Sequence, residues 1–274
     1  MITALLLAAT LTPFDEVVAA ERAFAAAAAV KDRHQAFLDH LAPDAIAFLP
    51  LPGPARPSHE GKPPAQGKLV WGPSWVAVSS SGDLALSTGP WEIQGLPEDS
   101  PLDVKTGWFF SVWRRQPGGA WKVAVDAGTS ARMKFALPKQ VENGFAEAPG
   151  KGAPQGTAGD AKSAVTTAER ALSGAAKSGL GAAIAAMADA HVRIYRERKA
   201  GAFGAADART LLANDKRSVS CSTDKIIAAV SGDLAYAYGT CASAGTDDQS
   251  KLGFLHVWRR QADGSYKILV DVTP

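Results

Sequence analysis

The sequence predicts an α+β protein made of two tandem domains, each with its helices first and a strongly bent antiparallel sheet after them. Three observations predict it. Phe109 to Asp126 (FFSVWRRQPGGAWKVAVD) recurs as Phe254 to Asp271 (FLHVWRRQADGSYKILVD), with ten of eighteen positions identical and no gap. Two shorter phrases recur in the same order: Ala20-Glu21-Arg22-Ala23 as Ala168-Glu169-Arg170-Ala171, and Ser81-Gly82-Asp83-Leu84-Ala85 as Ser231-Gly232-Asp233-Leu234-Ala235. The offset stays between 145 and 150 residues, so the repeated unit is a whole domain, whereas solenoid and propeller units run about 20 to 50 residues.

Thr12-Pro13-Phe14-Asp15 reads as an N-cap, a proline at the first helical position and an acid in the first turn, and the Ala-rich helix that follows runs to Val30. A second helix is expected over about 32 to 41, with Ala36, Phe37 and Leu41 on one face. A short strand at 44–49 leads into a loop carrying Pro50, Pro52, Pro54, Pro57, Pro63 and Pro64, where no regular structure is expected. Strands then fall at 75–78, 84–93, 107–116 and 121–127, with turns at Ser81-Gly82-Asp83 and Pro117-Gly118-Gly119. Residues 139–160, rich in Gly, Pro and Ala and without periodicity, read as a linker. The second unit repeats the order: helices at 161–176 and 180–189, a strand at 191–195, a loop at 196–207, and strands at 218–230, 234–243, 251–261 and 266–272. The division is therefore an apolar segment at 1–12, a first domain at 13–135, a linker at 136–160 and a second domain at 161–274. Each domain is long enough for its own core.

Lys and Arg number 29 against 27 Asp and Glu, a net charge of +2 spread along the chain. Without a basic stripe, a nucleic-acid partner is not expected. Residues 1–12 (MITALLLAATLT) are too few to span a bilayer, which takes about 20. They read as the apolar part of a signal peptide or as an apolar extension; the basic residues that open a signal peptide are missing, since no Lys or Arg precedes Arg22. Cys221 and Cys241 lie on the two arms of the hairpin that turns at Ser231-Gly232-Asp233, nearly opposite each other and within disulfide reach. A disulfide there would require an oxidising compartment, and two reduced cysteines are the alternative. Together these features favour export, periplasmic or secreted, over the cytoplasm.

Two helices, a strand, a variable loop and a curved sheet ending in such phrases resemble the nuclear transport factor 2-like superfamily, in its SnoaL-like branch known as domain of unknown function 4440. The phrases that carry the resemblance are Trp71-Gly72-Pro73, SGDLALSTGPWEI (Ser81 to Ile93), VWRRQPGGAWKV (Val112 to Val123) and Asp126; the second unit keeps SGDLAYAYGT and HVWRRQADGSYKILVD but lacks tryptophans at the positions of Trp71 and Trp91. The resemblance implies two tandem cone-shaped domains, each a sheet wrapped around a helix layer with a pocket open at one end, often paired across the sheet. Relatives include isomerases, hydrolases, cyclases and non-catalytic binding modules, so the fold leaves the function open.

Asp126 and Asp271 hold the same place in the last strand of each unit. Strict alternation puts Asp126 on the face of Lys122 and Ala124, opposite Val123 and Val125. A partly desolvated carboxylate in a pocket would suit a general base; a carboxylate satisfying backbone donors or paired with Arg114 or Arg259 is the structural alternative. Glu21-Arg22 and Glu169-Arg170 read as solvated or interhelical ion pairs. The five histidines show no metal-ligand spacing, since His34 and His40 lie about 240° apart on a helix, and neither metal nor cofactor is expected. His256, which replaces Ser111, could join His191, Tyr195, Tyr236 and Tyr238 in a polar pocket and is a weak catalytic candidate beside the two aspartates. Trp71, Trp91, Trp113, Tyr195, Tyr236 and Trp258 are the candidate lining of an apolar pocket, with core packing as the alternative. The reading that results is a non-catalytic protein whose domains bind a small apolar molecule or pack as an intrachain pseudo-dimer. An isomerase- or hydrolase-like enzyme using a pocket Asp as base is the alternative.

Overall fold

Thr12 begins the first helix as its chemistry requires: its hydroxyl accepts from the Asp15 amide at 3.2 Å, and the Asp15 carboxylate accepts from the Thr12 amide at 3.3 Å. Thr157 and Asp160 form the same capping box in the second unit. The computed structural model describes residues 11–98, 100, 103–145, 156–243 and 251–273. The apolar segment at 1–10 and the middle of the linker at 146–155 lie outside them. Helices α1 (Pro13–Val30) and α2 (Arg33–His40) precede strands β1 (Leu41–Phe48), β2 (Pro52–Pro54), β3 (Lys68–Trp71), β4 (Trp75–Val78), β5 (Leu84–Gln94), β6 (Thr106–Arg115), β7 (Trp121–Ser130) and β8 (Glu142–Asn143). The second unit runs α3 (Ala158–Ala176), α4 (Leu180–Met187), β9 (Ala188–Arg196), β10 (Ala202–Phe203), α5 (Gly204–Leu212), β11 (Val219–Ala228), β12 (Leu234–Ser243), β13 (Leu252–Arg260) and β14 (Tyr266–Thr273).

Two separate sheets result. The first has the order β2-β1-β7-β6-β5-β4-β8 with β3 also on β5; the second has the order β10-β9-β14-β13-β12-β11. Strands β1 and β7 pair in parallel, as do β9 and β14, and the long hairpins are antiparallel. Both sheets are strongly curved and each carries its own helices. The bend in β5 needs Gly89, where a Cβ would stand 2.1 Å from the Gly72 carbonyl oxygen; Gly239 in β12 has the same need against Ser222 at 2.0 Å.

Three stretches expected to be irregular are not. Pro52–Pro54 pairs with β1 as an edge strand, where missing amides cost least, and a 3₁₀ turn follows at Arg56–Ser58. The loop after β9 holds α5, whose Ala208 and Leu212 are buried. The linker contributes β8, parallel to β4, and Glu142 pairs with Arg193 at 2.7 Å. Composition missed it because two paired residues leave no periodicity.

Val17, Phe24, Phe37, Trp71, Phe109 and Trp113 lie in the core of the first unit; Val165, Leu172, Ile184, Ile194, Phe254 and Trp258 lie in that of the second. A third cluster joins residues of both sheets, among them Leu86, Phe110, Val112, Val125, Tyr195, Leu234, Tyr236, Val257 and Val270. The matching turns also meet: Ser80 donates to Asp233 at 2.8 Å, Val230 donates to Asp83 at 3.1 Å, and the Ser81 and Ser231 hydroxyls lie 2.9 Å apart.

Candidate functional site

A β-bulge sets up the site. Val112 faces Val125 across the β6–β7 ladder, but Trp113 faces Val123, so the register slips at Ala124. Val123 and Asp126 therefore both reach the interior of the first unit, and Val125 and Ala127 join the cluster between the sheets. Strict alternation had separated Val123 from Asp126; the bulge corrects it. The same slip, at Leu269, turns Asp271 inward in the second unit.

Asp126 lines an open cavity of about 300 Å³. Phe24 from α1, Phe37 from α2, Trp71 from β3, Trp91 and Ile93 from β5 and Phe109 from β6 supply most of its wall, with Ser111 beside Asp126 and Arg33 also on the lining. Phe24 meets Phe37 and Trp71 edge-on, with centroids 4.8 and 4.9 Å apart. Trp91 lies over Gly107, where a Cβ would come within 2.8 Å of its ring.

Behind this wall Glu21, fully buried, accepts from the indole N–H groups of Trp71 and Trp113, each at 2.8 Å. It is not the solvated ion pair that Glu21-Arg22 suggested, because it sits on the buried stripe Val17, Glu21, Phe24, Ala28 of α1. Burial lifts its pKa, and the indole donors pull part of that back. Asp126 is half-buried with its carboxyl toward the cavity, and no hydrogen bond or ion pair ties it among the described residues. Its pKa is pushed up to about 7, by desolvation first and by the nearby Glu21 second. A carboxyl group poised there can hold or release a proton at neutral pH.

In the second unit the matching acids are both paired, and the open cavity beside Arg196 and Thr273, about 670 Å³, is lined by Asp215, Lys216 and Arg217 rather than by aromatic rings. Glu169 accepts from Trp258 at 2.7 Å and meets the His256 ring at 2.9 Å. Asp271 accepts from Arg196 at 2.6 Å and from Thr273 at 2.8 Å, with His256 Nε2 3.6 Å away. Burial works against charge on His256, but Glu169 and Asp271 outweigh it and raise its pKa. Arg196 stands where the first unit has Leu49, and His256 where it has Ser111. Where Trp71 pairs with Trp91 across the strands, Cys221 pairs with Cys241, and these two are joined as a disulfide. A bulge at Asp224 brings them directly opposite.

Of the candidate residues, Trp71, Trp91 and Asp126 come together in the first cavity. Trp113 and Trp258 are buried donors to Glu21 and Glu169, and Trp113 stands outside the lining of the first cavity. Tyr195, Tyr236 and Tyr238 pack in the cluster between the sheets, so they form no polar pocket with His256, which lies inside the second unit, or with exposed His191. Neither arginine pairs with the aspartate proposed for it: Arg114 takes Asp44 and Arg259 takes Asp189, each at 2.5 Å, acids of the first strand of each unit that stand at different positions in it. Glu21, Arg33 and the three phenylalanines went unrecognised as site residues. The recurrence of Glu21 as Glu169 on an apolar helix stripe was the available signal.

Among the described residues no group of three His, Cys, Asp or Glu could hold a metal ion, and no helix is long and apolar enough to cross a membrane. No family model matches the sequence, and no curated protein matches it. Solved structures do. An NTF2-like protein of unknown function from Pseudomonas putida KT2440 is 18% identical over 43% of this chain and 88% of its own, with a TM-score of 0.34. A ketosteroid isomerase-like protein from Erwinia carotovora atroseptica is 14% identical over 41% and 93%, at 0.34. Nuclear transport factor 2 from Cryptosporidium parvum is 10% identical over 44% and 98%, at 0.35.

Proposed function

We propose that the first unit binds a small, largely apolar molecule that offers one polar atom to Asp126. The second unit, whose matching Asp271 is satisfied by Arg196 and Thr273, packs against it as an intrachain pseudo-dimer. One observation carries this reading: an open cavity with aromatic walls contains a carboxyl group that no described residue satisfies. The reciprocal turn contacts and the cluster between the sheets support the pairing. We take 13–135 and 161–274 as the two domains and 136–160 as the connection between them. The disulfide supports an oxidising compartment, periplasmic or secreted. Titration of tryptophan fluorescence with steroids, terpenoids and long-chain alcohols tests the binding. Saturation at one ligand per chain, weakened at least about tenfold in Trp91→Ala, is the expected result; absence of saturation with every class removes the reading.

A second reading rests on the pKa of about 7 at Asp126: the carboxyl shuttles a proton on the bound molecule as an isomerase- or hydrolase-like base. Turnover that vanishes in Asp126→Asn while binding persists would select it.

A further inference from the structure

We infer that the cavity of the first unit takes an apolar acid, whose anionic head is held by Arg33 while its body lies against the aromatic wall. The inference rests on the binding reading above and adds the class of ligand.

Arg33 is half-buried and lines the cavity, yet it has neither a hydrogen bond nor an ion pair among the described residues. Among the described arginines sheltered from solvent, that is exceptional. Arg114, Arg115, Arg193, Arg196, Arg217 and Arg259, all sheltered to some degree, each have a carboxylate partner. A guanidinium partly removed from water without a counter-ion costs the folded state stability, and a bound anion would relieve that cost. Burial lowers the Arg33 pKa, and only the neighbouring Asp32 opposes that from a distance.

A second observation points the same way. The His59 ring stacks on Phe37, a wall residue, with centroids 4.5 Å apart, and its Nδ1 lies 3.0 Å from Nδ1 of His34. Burial, then His34, then Arg33 push the His59 pKa down to about 4, against the pull of Asp32. Burial is the main cause, and Arg33 acts on His59 in the same direction. Arg33 and Asp126 are the charged side chains of the lining. With Asp126 protonated the cavity carries a single positive charge, and its walls are apolar.

Calorimetry on the whole protein at pH 6 with 1-naphthaleneacetate and the neutral 1-naphthaleneethanol tests the inference. The acid should bind at least about tenfold more tightly than the alcohol. Arg33→Gln should bring the two affinities together, and Arg33→Lys should keep part of the preference. An NMR titration should show the His59 pKa rising when the acid is bound and staying near 4 with the alcohol. Equal affinities in the unaltered protein, or a preference that survives Arg33→Gln, overturns the inference while leaving the binding site standing. If neither probe binds, the binding reading and the inference fall together.

Discussion

Replacing Asp126 with asparagine is expected to stabilise the protein above pH 7 and to change little at pH 4. The Asp126 pKa is raised from 3.8 to about 7 in the folded state, so the folded chain holds a proton that the unfolded chain releases between these values. Stability therefore falls as pH rises from about 4 to about 7, and the full penalty applies above pH 7. Each pKa unit is worth about 1.4 kcal/mol, which puts the upper bound near 4 kcal/mol. Asp126 is only half-buried, because its carboxyl opens onto the cavity; solvent there screens the charge and reduces the expected gain to about 2 kcal/mol. Urea unfolding of both proteins at pH 4 and pH 8 measures it: the difference between variant and parent should grow by about 2 kcal/mol over that range. A difference that stays flat with pH would refute the argument that desolvation and Glu21 hold a proton on this group.

Glu21→Ala should destabilise by about 3 kcal/mol, because two buried indole N–H groups lose their acceptor. Glu21→Gln, which keeps an amide oxygen, should lose less, and urea midpoints will rank the two. Replacing Cys221 and Cys241 together with serine removes a cross-link over a sequence separation of 20 and should cost about 3 kcal/mol; thermal unfolding with and without reductant will show the parent falling toward the variant only when reduced.

The duplication made the architecture legible. Two copies of a turn such as Ser81-Gly82-Asp83 and of the VWRRQ strand fix which segments pair, and each copy vouches for the other. The faces of the strands were harder to read. One residue slips out of register at Ala124 and at Leu269, and every residue beyond it changes sides, so alternation put Asp126 opposite Val123 when both point inward. Asp126 and Asp271 also show why equal positions in a repeat do not imply equal chemistry. Their backbones match, but Arg196 and His256 neutralise one, and Leu49 and Ser111 leave the other alone. Glu21 was misread because Glu beside Arg on a helix usually faces water; only its place between Val17 and Phe24 on the stripe tells otherwise. Arg33 carries no sequence mark at all, since its distinction is a missing neighbour.

The exchange of a Trp71–Trp91 pair for a Cys221–Cys241 bond at one cross-strand position bears on how such a chain can change over time. An unfilled interior forgoes packing contacts, and a lone hollow domain must absorb that loss by itself. Here a covalently clipped twin, its interior acids paired, stands beside the unit whose Asp126 is left alone, so mutations that widen or reshape the aromatic chamber draw on a reserve of stability held elsewhere in the chain. New specificities should therefore arise in the first half, while the second half changes slowly in its role as ballast.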